Sequence, residues 1–372
     1  MIERYIEILE QLRQNKIALK EFLYTEAIDE KDLSYDLNAT KRYQLLKAMQ
    51  YNRLETDEPI LVELLKAEIE RHQKEPFQGL EPALSLNAFL LSLYRKPAYT
   101  ELFVAAKNAN FDTYCGFDYQ FLISAGIQET YAYIDEVKAP YAEDFYHYFG
   151  SMPEACSISE EELQDWRKTV QAFYPDTLEL KNLPDEIELA IELDEKLILK
   201  EKINQWSDSM SSWSETDLKR LSYYKRLIAD TKGELWSKEQ LLPFKTTDWD
   251  KASALIDLSE LYLKLNDYEN TWSKLTQIQQ HLKTIPDWIS YGLGRSIIER
   301  YFELILAINN PHDDIVKESY KWVSKQMASM KNLYINLLEK AAKAADLMQD
   351  LKLSKKYYKM LESERKKLSS FK

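Results

Sequence analysis

One stretch, Leu255 to Pro286 (LIDLSELYLKLNDYENTWSKLTQIQQHLKTIP), constrains the fold more than any other, because its apolar positions can be buried only if two short helices fold back on each other. Leu255, Leu258, Leu261, Tyr262 and Leu265 recur at helical spacing, and Asn266-Asp267 then interrupts the run with turn chemistry. A second helix carries Tyr268, Trp272, Leu275, Ile278 and Leu282 on one side. Neither helix is long enough to stand alone in water, so each needs the other and further neighbours. The rest of the chain is punctuated by only 7 Gly and 11 Pro in 372 residues, too few for the tight turns of a sheet protein and enough for a chain of helices.

Within this stretch Leu255, Leu258, Ser259 and Tyr262 stand where a tetratricopeptide repeat has a large residue, a Leu, a small residue and a Tyr. Thr271 and Leu275 stand at the Ala and aromatic places of the second helix, and Pro286 follows a few residues later than the repeat's proline. The stretch resembles that repeat, and residues 338 to 368 do so more loosely through Ala342, Ala345, Leu351 and Tyr357. The resemblance implies stacked antiparallel helical hairpins and no particular activity. The expected fold is therefore all-α: an N-terminal helical bundle, residues 1–150, followed by a tetratricopeptide- or HEAT-like helical-repeat array, residues 151–372.

The richest apolar run, Leu84 to Tyr94, falls short of the ~18 uncharged residues that a membrane span requires. The first residues, MIERYIEILEQLRQNK, carry charges where a signal peptide is apolar, so the expectation is a cytoplasmic protein with no membrane partner. Two cysteines, Cys115 and Cys156, exclude a disulfide framework by number.

Charge is unevenly distributed. Between Asp135 and Glu201 there are 18 acidic against 6 basic residues, whereas Lys352 to Lys372 holds 8 basic against 2 acidic. The acidic middle repels nucleic acid and suits a basic protein or peptide; its plain alternative is a set of solvated helix faces. Lysines near a helix carboxyl end are favourable on their own account, so the basic tail does not call for a nucleic-acid partner.

In chain order, residues 2 to 24 read as a helix through Ile2, Tyr5, Ile6, Leu9 and Leu12, with Phe22 and Leu23 either continuing it or starting a second turn system, residues 26–38 as a polar loop, and 40–53 and 59–73 as helices. Pro59 sits in a first turn, where its missing N–H costs nothing. LSLNAFLLSLYR is apolar nearly all round and belongs at the centre of a bundle. GSMPEACSISE, residues 150 to 160, reads as the hinge, and Ser159 with Glu162 as a capping box for the helix through Trp166 and Val170. Residues 177–194 admit two readings. Ile187, Leu189, Ile191 and Leu193 alternate like a strand, whereas Pro184 and the many Glu and Ala favour a helix. Further on, one helix is expected from Asp217 to Lys232, another capped by Ser237 with Gln240, an inner one over Arg295 to Ile308, and a final pair from 327 to 368.

No stretch carries a catalytic signature, and no cofactor is implied. Cys115 with His147 is the one arithmetically possible nucleophile and base, but Asp112 and Asp118 beside the thiol raise its pKa instead of lowering it. Asp144 three residues before His147 is half of a carboxylate-bundle ligand pair with no second copy. Gly292-Leu293-Gly294-Arg295 has too few glycines for a phosphate loop and reads as a turn into a helix.

The expected function is a non-enzymatic interaction module that holds a basic partner through Glu160, Glu161, Glu162, Asp185, Glu186 and Glu188, with Tyr141, Phe145 and Tyr148 as an aromatic stripe that is either core or grip. A neutralising (immunity) protein for a cationic toxin or nuclease is one concrete form. A peptide-sensing regulator with a concave pocket lined by Asn, Tyr and acidic residues is the alternative, and a Cys-dependent hydrolase a second.

Overall fold

A computed structural model describes residues 1–76, 79–330 and 333–369. Residues 331–332 of the expected final helical pair and 370–372 of the basic tail lie outside the described residues. Among the described residues the chain is all-α, with nineteen α-helices and a single two-stranded sheet, and it divides into two compact units, Met1–Lys196 and Leu197–Lys372.

Unit 1 begins with α1 (Ile2–Arg13), β1 (Glu26–Ile28), β2 (Ser34–Asp36), α2 (Ala39–Tyr51), α3 (Glu58–Lys74), α4 (Pro82–Ser92) and α5 (Thr100–Lys107). It continues with α6 (Phe111–Gly116), α7 (Ile127–Val137), α8 (Ala142–Phe149), α9 (Glu160–Phe173) and α10 (Leu183–Glu192). The all-round apolar character of α4 places it at the centre, with Leu84, Leu86, Ala88, Leu90 and Leu91 buried.

The first helix is shorter than its periodicity suggests. It ends at Arg13 because Asn15 takes a left-handed conformation, and a 3₁₀ turn, Leu19–Phe22, then buries Phe22. The segment expected to be a loop contains β1 and β2, paired antiparallel with Glu26 opposite Asp36 and Ile28 opposite Ser34. Asp36 fixes that hairpin: its carboxylate accepts from the backbone N–H groups of Thr25 and Asn38, each at 3.0 Å, and pairs with the buried Arg42 at 2.6 Å.

Residues 150–160 lie within unit 1. Ile158 and Leu163 are in its core, and Glu160 accepts from the Ile127 N–H at 2.9 Å, tying α9 to the start of α7. The chain passes to the second unit only after α10. That element is helical: Asn182 caps it by accepting from the Asp185 N–H, and Pro184 occupies its first turn.

Unit 2 comprises α11 (Lys196–Ser209) and four hairpins. These are α12 (Glu215–Leu227) with α13 (Thr231–Leu241), α14 (Asp248–Lys264) with α15 (Tyr268–His281), α16 (Gly292–Ile308) with α17 (Asp314–Met327), and α18 (Ile335–Leu347) with α19 (Leu351–Ser369). Helices α14, α16 and α18 pack side by side in turn, while α15 packs on α16 and α17. One continuous core runs from Ala252 to Leu361.

Local chemistry explains the boundaries. Ser214, Asp230, Thr247, Asp267 and Asp313 each cap the following helix by accepting one or two of its free backbone N–H groups. The expected helix from Asp217 to Lys232 stops at Leu227, since Ala229 is left-handed. Ser237 is not a cap: it is buried in mid-helix and donates to the Glu234 carbonyl, because Asp230 has already capped α13 by accepting from Gly233.

Candidate functional site

The acidic middle of the chain places most of its carboxylates on the surface of unit 1. Glu136, Glu143, Asp144, Glu154, Glu161 and Asp176 are exposed and form no ion pair with any described residue. Acidic residues in a first helical turn are favourable in themselves, since they face the positive end of the helix dipole, and α8, α9 and α10 all begin this way.

The six carboxylates singled out from the sequence are not equivalent. Glu162 closes a reciprocal capping box: it accepts from the Ser159 N–H at 2.8 Å while the Ser159 hydroxyl accepts from the Glu162 N–H at 3.2 Å. The bond from that backbone N–H holds the Glu162 carboxyl below its ordinary value. Glu160 satisfies the first N–H of α7, and Asp185 accepts from the Lys181 N–H at 2.8 Å. Glu186 is half-buried and Glu188 exposed, each engaged with a neighbour. Glu161 alone projects from a helix start with no such duty.

The aromatic stripe is mainly structural. Phe145 is fully buried, edge-on to Tyr131 with ring centroids 5.1 Å apart, which removes it from any partner-facing surface. Tyr141 is half-buried, and burial pushes its hydroxyl up to about 12. The Tyr148 hydroxyl donates to Asn108 Oδ1 at 2.7 Å. The rings of Tyr148 and Tyr114 flank the Lys107 ammonium at 5.9 and 5.8 Å, and Lys107 Nζ donates to the Phe117 carbonyl. Burial pulls that ammonium below its ordinary value.

Cys115 and His147 are both exposed, and no hydrogen bond joins them; the His147 ring packs edge-on to Tyr148 instead. Among the described residues no group of three or more His, Cys, Asp or Glu side chains is arranged to hold a metal ion. Gly292 and Gly294 lie in the first turn of α16, where a Cβ on Gly294 would sit 2.5 Å from the Trp288 carbonyl oxygen, so this glycine serves close backbone packing.

In unit 2 a set of carboxylates ties neighbouring helices together. Across the seam of α14, α16 and α18, Arg300 bridges Glu260 (2.7 Å) and Glu303 (2.6 Å), and Lys340 bridges Glu299 and Glu303, both at 2.5 Å. The Tyr334 hydroxyl adds a further bond to Glu299. Burial pushes the Glu299 carboxyl up, but its bonds from Lys340 and Tyr334 more than offset this and leave it below the ordinary carboxylate value.

Sequence reasoning missed one set of residues altogether. Two concavities of unit 1 share the wall formed by Phe89, Leu93 and Gln171. The narrower, about 50 Å³, is lined by Arg95 and Arg167 with Ser92, Ser124 and Trp166; the wider, about 360 Å³, by Gln50, Asn52, Arg53, Tyr174 and Asp176. Arg53, Arg95 and Arg167 are far apart in the chain, and no local pattern links them. No family model, curated protein or solved structure matches this chain.

Proposed function

We propose that the chain is a non-catalytic binding module whose unit 1 docks a basic protein or peptide on its exposed carboxylates. The observation that supports this reading is the concentration of exposed, unpaired carboxylates in the stretch from Asp135 to Glu201, where 18 acidic residues stand against 6 basic ones. Glu136, Glu143, Asp144, Glu154, Glu161 and Asp176 face solvent and make no ion pair with a described residue. Like charges gathered on one unit repel one another and destabilise it, a cost that a cationic partner removes on binding.

Unit 2 we read as a tetratricopeptide-like array that supports this docking. The fully buried Ser259 and Thr271, at the small-residue places of the α14–α15 hairpin, favour that reading. A neutralising protein for a cationic toxin or nuclease is the concrete form, because covering a basic substrate-binding surface inactivates such a partner.

The test is affinity capture from the native host at low salt, using the wild type beside a variant carrying Glu143→Gln, Asp144→Asn, Glu154→Gln and Glu161→Gln. These positions avoid the helix-capping roles of Glu160 and Glu162. The expected result is a basic partner released by salt and retained at least about tenfold less by the variant, as rim charges tune encounter and salt dependence. Equal retention by both proteins would sink the reading.

A further inference from the structure

The two concavities that share Phe89, Leu93 and Gln171 adjoin in unit 1 as a two-lobed region, and its narrower lobe is chemically the reverse of the acidic surface around it. That lobe brings Arg95 and Arg167 to one wall with no carboxylate among the lining residues. Arg95 is exposed at the reversal after α4 and makes no ion pair with a described residue. Arg167 is half-buried, and its Nη2 donates to the Ser124 carbonyl at 2.8 Å, which fixes the guanidinium; Glu160 and Glu129 act on it at longer range without forming a salt bridge. Burial pulls the Arg167 guanidinium below its ordinary value, and the like charge of Arg95 pulls in the same direction. In a chain with 62 acidic residues, two neighbouring arginines that form no salt bridge with a described residue make a cationic site that an oxyanion would neutralise.

The wide lobe offers rings and amides. Phe89 and Tyr174 stack with centroids 5.1 Å apart and an interplanar angle of 27°, giving a flat apolar wall. Gln50 is 95% buried, its relative exposure being 5%. Its Nε2 is committed to the Pro175 carbonyl at 2.8 Å, and its Oε1 is buried without a hydrogen-bond partner. Arg53, at the same lobe, stands over the Tyr94 ring at 5.2 Å and pairs with Glu55 at 3.5 Å, so its charge is already engaged.

We propose that this groove binds a phosphorylated small molecule with a flat polar ring, of mononucleotide size, its phosphate between Arg95 and Arg167 and its ring against Phe89 and Tyr174. The ring presents polar edges to Asn52 and Gln171, which line the wide lobe. Pockets of about 300 Å³ and more, with a few convergent polar groups on an apolar wall, suit ligands of this size. Of the exposed carboxylates named above, Asp176 alone lines this site, in the wide lobe and not beside the arginine pair; Glu143, Asp144, Glu154 and Glu161 do not line it.

The test is calorimetric titration of the full chain with adenosine, guanosine, cytidine and uridine monophosphates, the four unphosphorylated nucleosides, and orthophosphate. At least one monophosphate is expected to bind one to one, with its nucleoside and orthophosphate each at least about tenfold weaker. Arg95→Ala is expected to weaken that monophosphate about tenfold at unchanged melting temperature, since Arg95 has no structural partner; Arg167→Lys retains charge but loses the planar fork and also weakens it. The proposal is overturned if no monophosphate binds at millimolar concentration, if orthophosphate binds as tightly as the nucleotide, or if Arg95→Ala leaves the affinity unchanged.

Discussion

The Arg42 guanidinium and the Glu68 carboxylate lie 2.5 Å apart, and both side chains are fully shielded from solvent. Arg42 also reaches Asp36 at 2.6 Å and the Phe22 carbonyl at 3.0 Å, so one cation joins α2 to α3, to the hairpin and to the 3₁₀ turn. Removing it leaves two buried carboxylates without their main counter-charge, Glu68 keeping Arg71 at 3.9 Å and Asp36 its two backbone N–H groups. Arg42→Met is therefore expected to destabilise unit 1 by about 3–5 kcal/mol in denaturant unfolding. Amide exchange at Thr25 and Asn38, whose N–H groups are held by Asp36, should accelerate in the same variant. Unchanged stability would show that the pair is dispensable.

A smaller effect is expected at the start of α9. Ser159 and Glu162 satisfy each other's backbone donors, so Ser159→Ala frees one of the N–H groups of α9 and removes a partner of Glu162. A loss of about 1 kcal/mol is expected, and Ser159→Asp should recover most of it, because an aspartate caps equally well. If Ala and Asp behave alike in thermal unfolding, the cap does not contribute.

The ion ladder of unit 2 gives a pH dependence of definite sign. Burial opposes ionisation of Glu260 and Glu299, yet their bonds to Lys264 and Arg300, and to Lys340 and Tyr334, leave both carboxyls below the ordinary value of 4.5. A carboxyl depressed in the folded state contributes stability above its unfolded pKa and loses it as pH falls through its folded pKa. The melting temperature of unit 2 should thus fall between about pH 5 and pH 3. Tryptophan fluorescence reports on this unit, which holds all but Trp166 of the eight tryptophans. In Lys340→Met, burial of Glu299 is no longer offset by that cation, so the acid-induced fall should be shallower. Parallel pH profiles for the two proteins would contradict the assignment.

Elements with strong periodicity and recognisable caps were legible in the sequence: α3 behind Pro59, α9 behind Ser159, and the α14–α15 hairpin at Asn266-Asp267, where Asn266 takes the left-handed conformation. The β-hairpin was not, because its strands are three residues long and are fixed by a contact to Arg42 from outside the segment. Ser237 misled for a related reason, as the same serine that caps a helix also fits inside one by donating to a preceding carbonyl. The arginine groove was invisible because Arg53, Arg95 and Arg167 each resemble an ordinary surface charge until α2, α4 and α9 are brought together.

Gly292 and Gly294 offer a test in which two identical substitutions have opposite signs. Both lie in the first turn of α16, where replacing glycine by alanine normally stabilises a helix by up to about 1 kcal/mol. A Cβ on Gly292 meets nothing closer than the tip of Arg295 at 4.0 Å, so Gly292→Ala should realise that gain. At Gly294 the new Cβ would lie 2.5 Å from the Trp288 carbonyl oxygen and 2.7 Å from the Ile289 Cα, and neither is a flexible side-chain end. The 3₁₀ turn Trp288–Ser290 must then shift, carrying with it Trp288, which stacks on Trp322 of α17 at 6.1 Å. Overpacking of this kind costs about 1–3 kcal/mol, more than the helical gain, so Gly294→Ala should lower the midpoint of denaturant unfolding while Gly292→Ala raises it. Because the stacked indoles separate, only Gly294→Ala should also change the native tryptophan emission; an equal response from the two variants would mean that the α16 entry is not packed this closely.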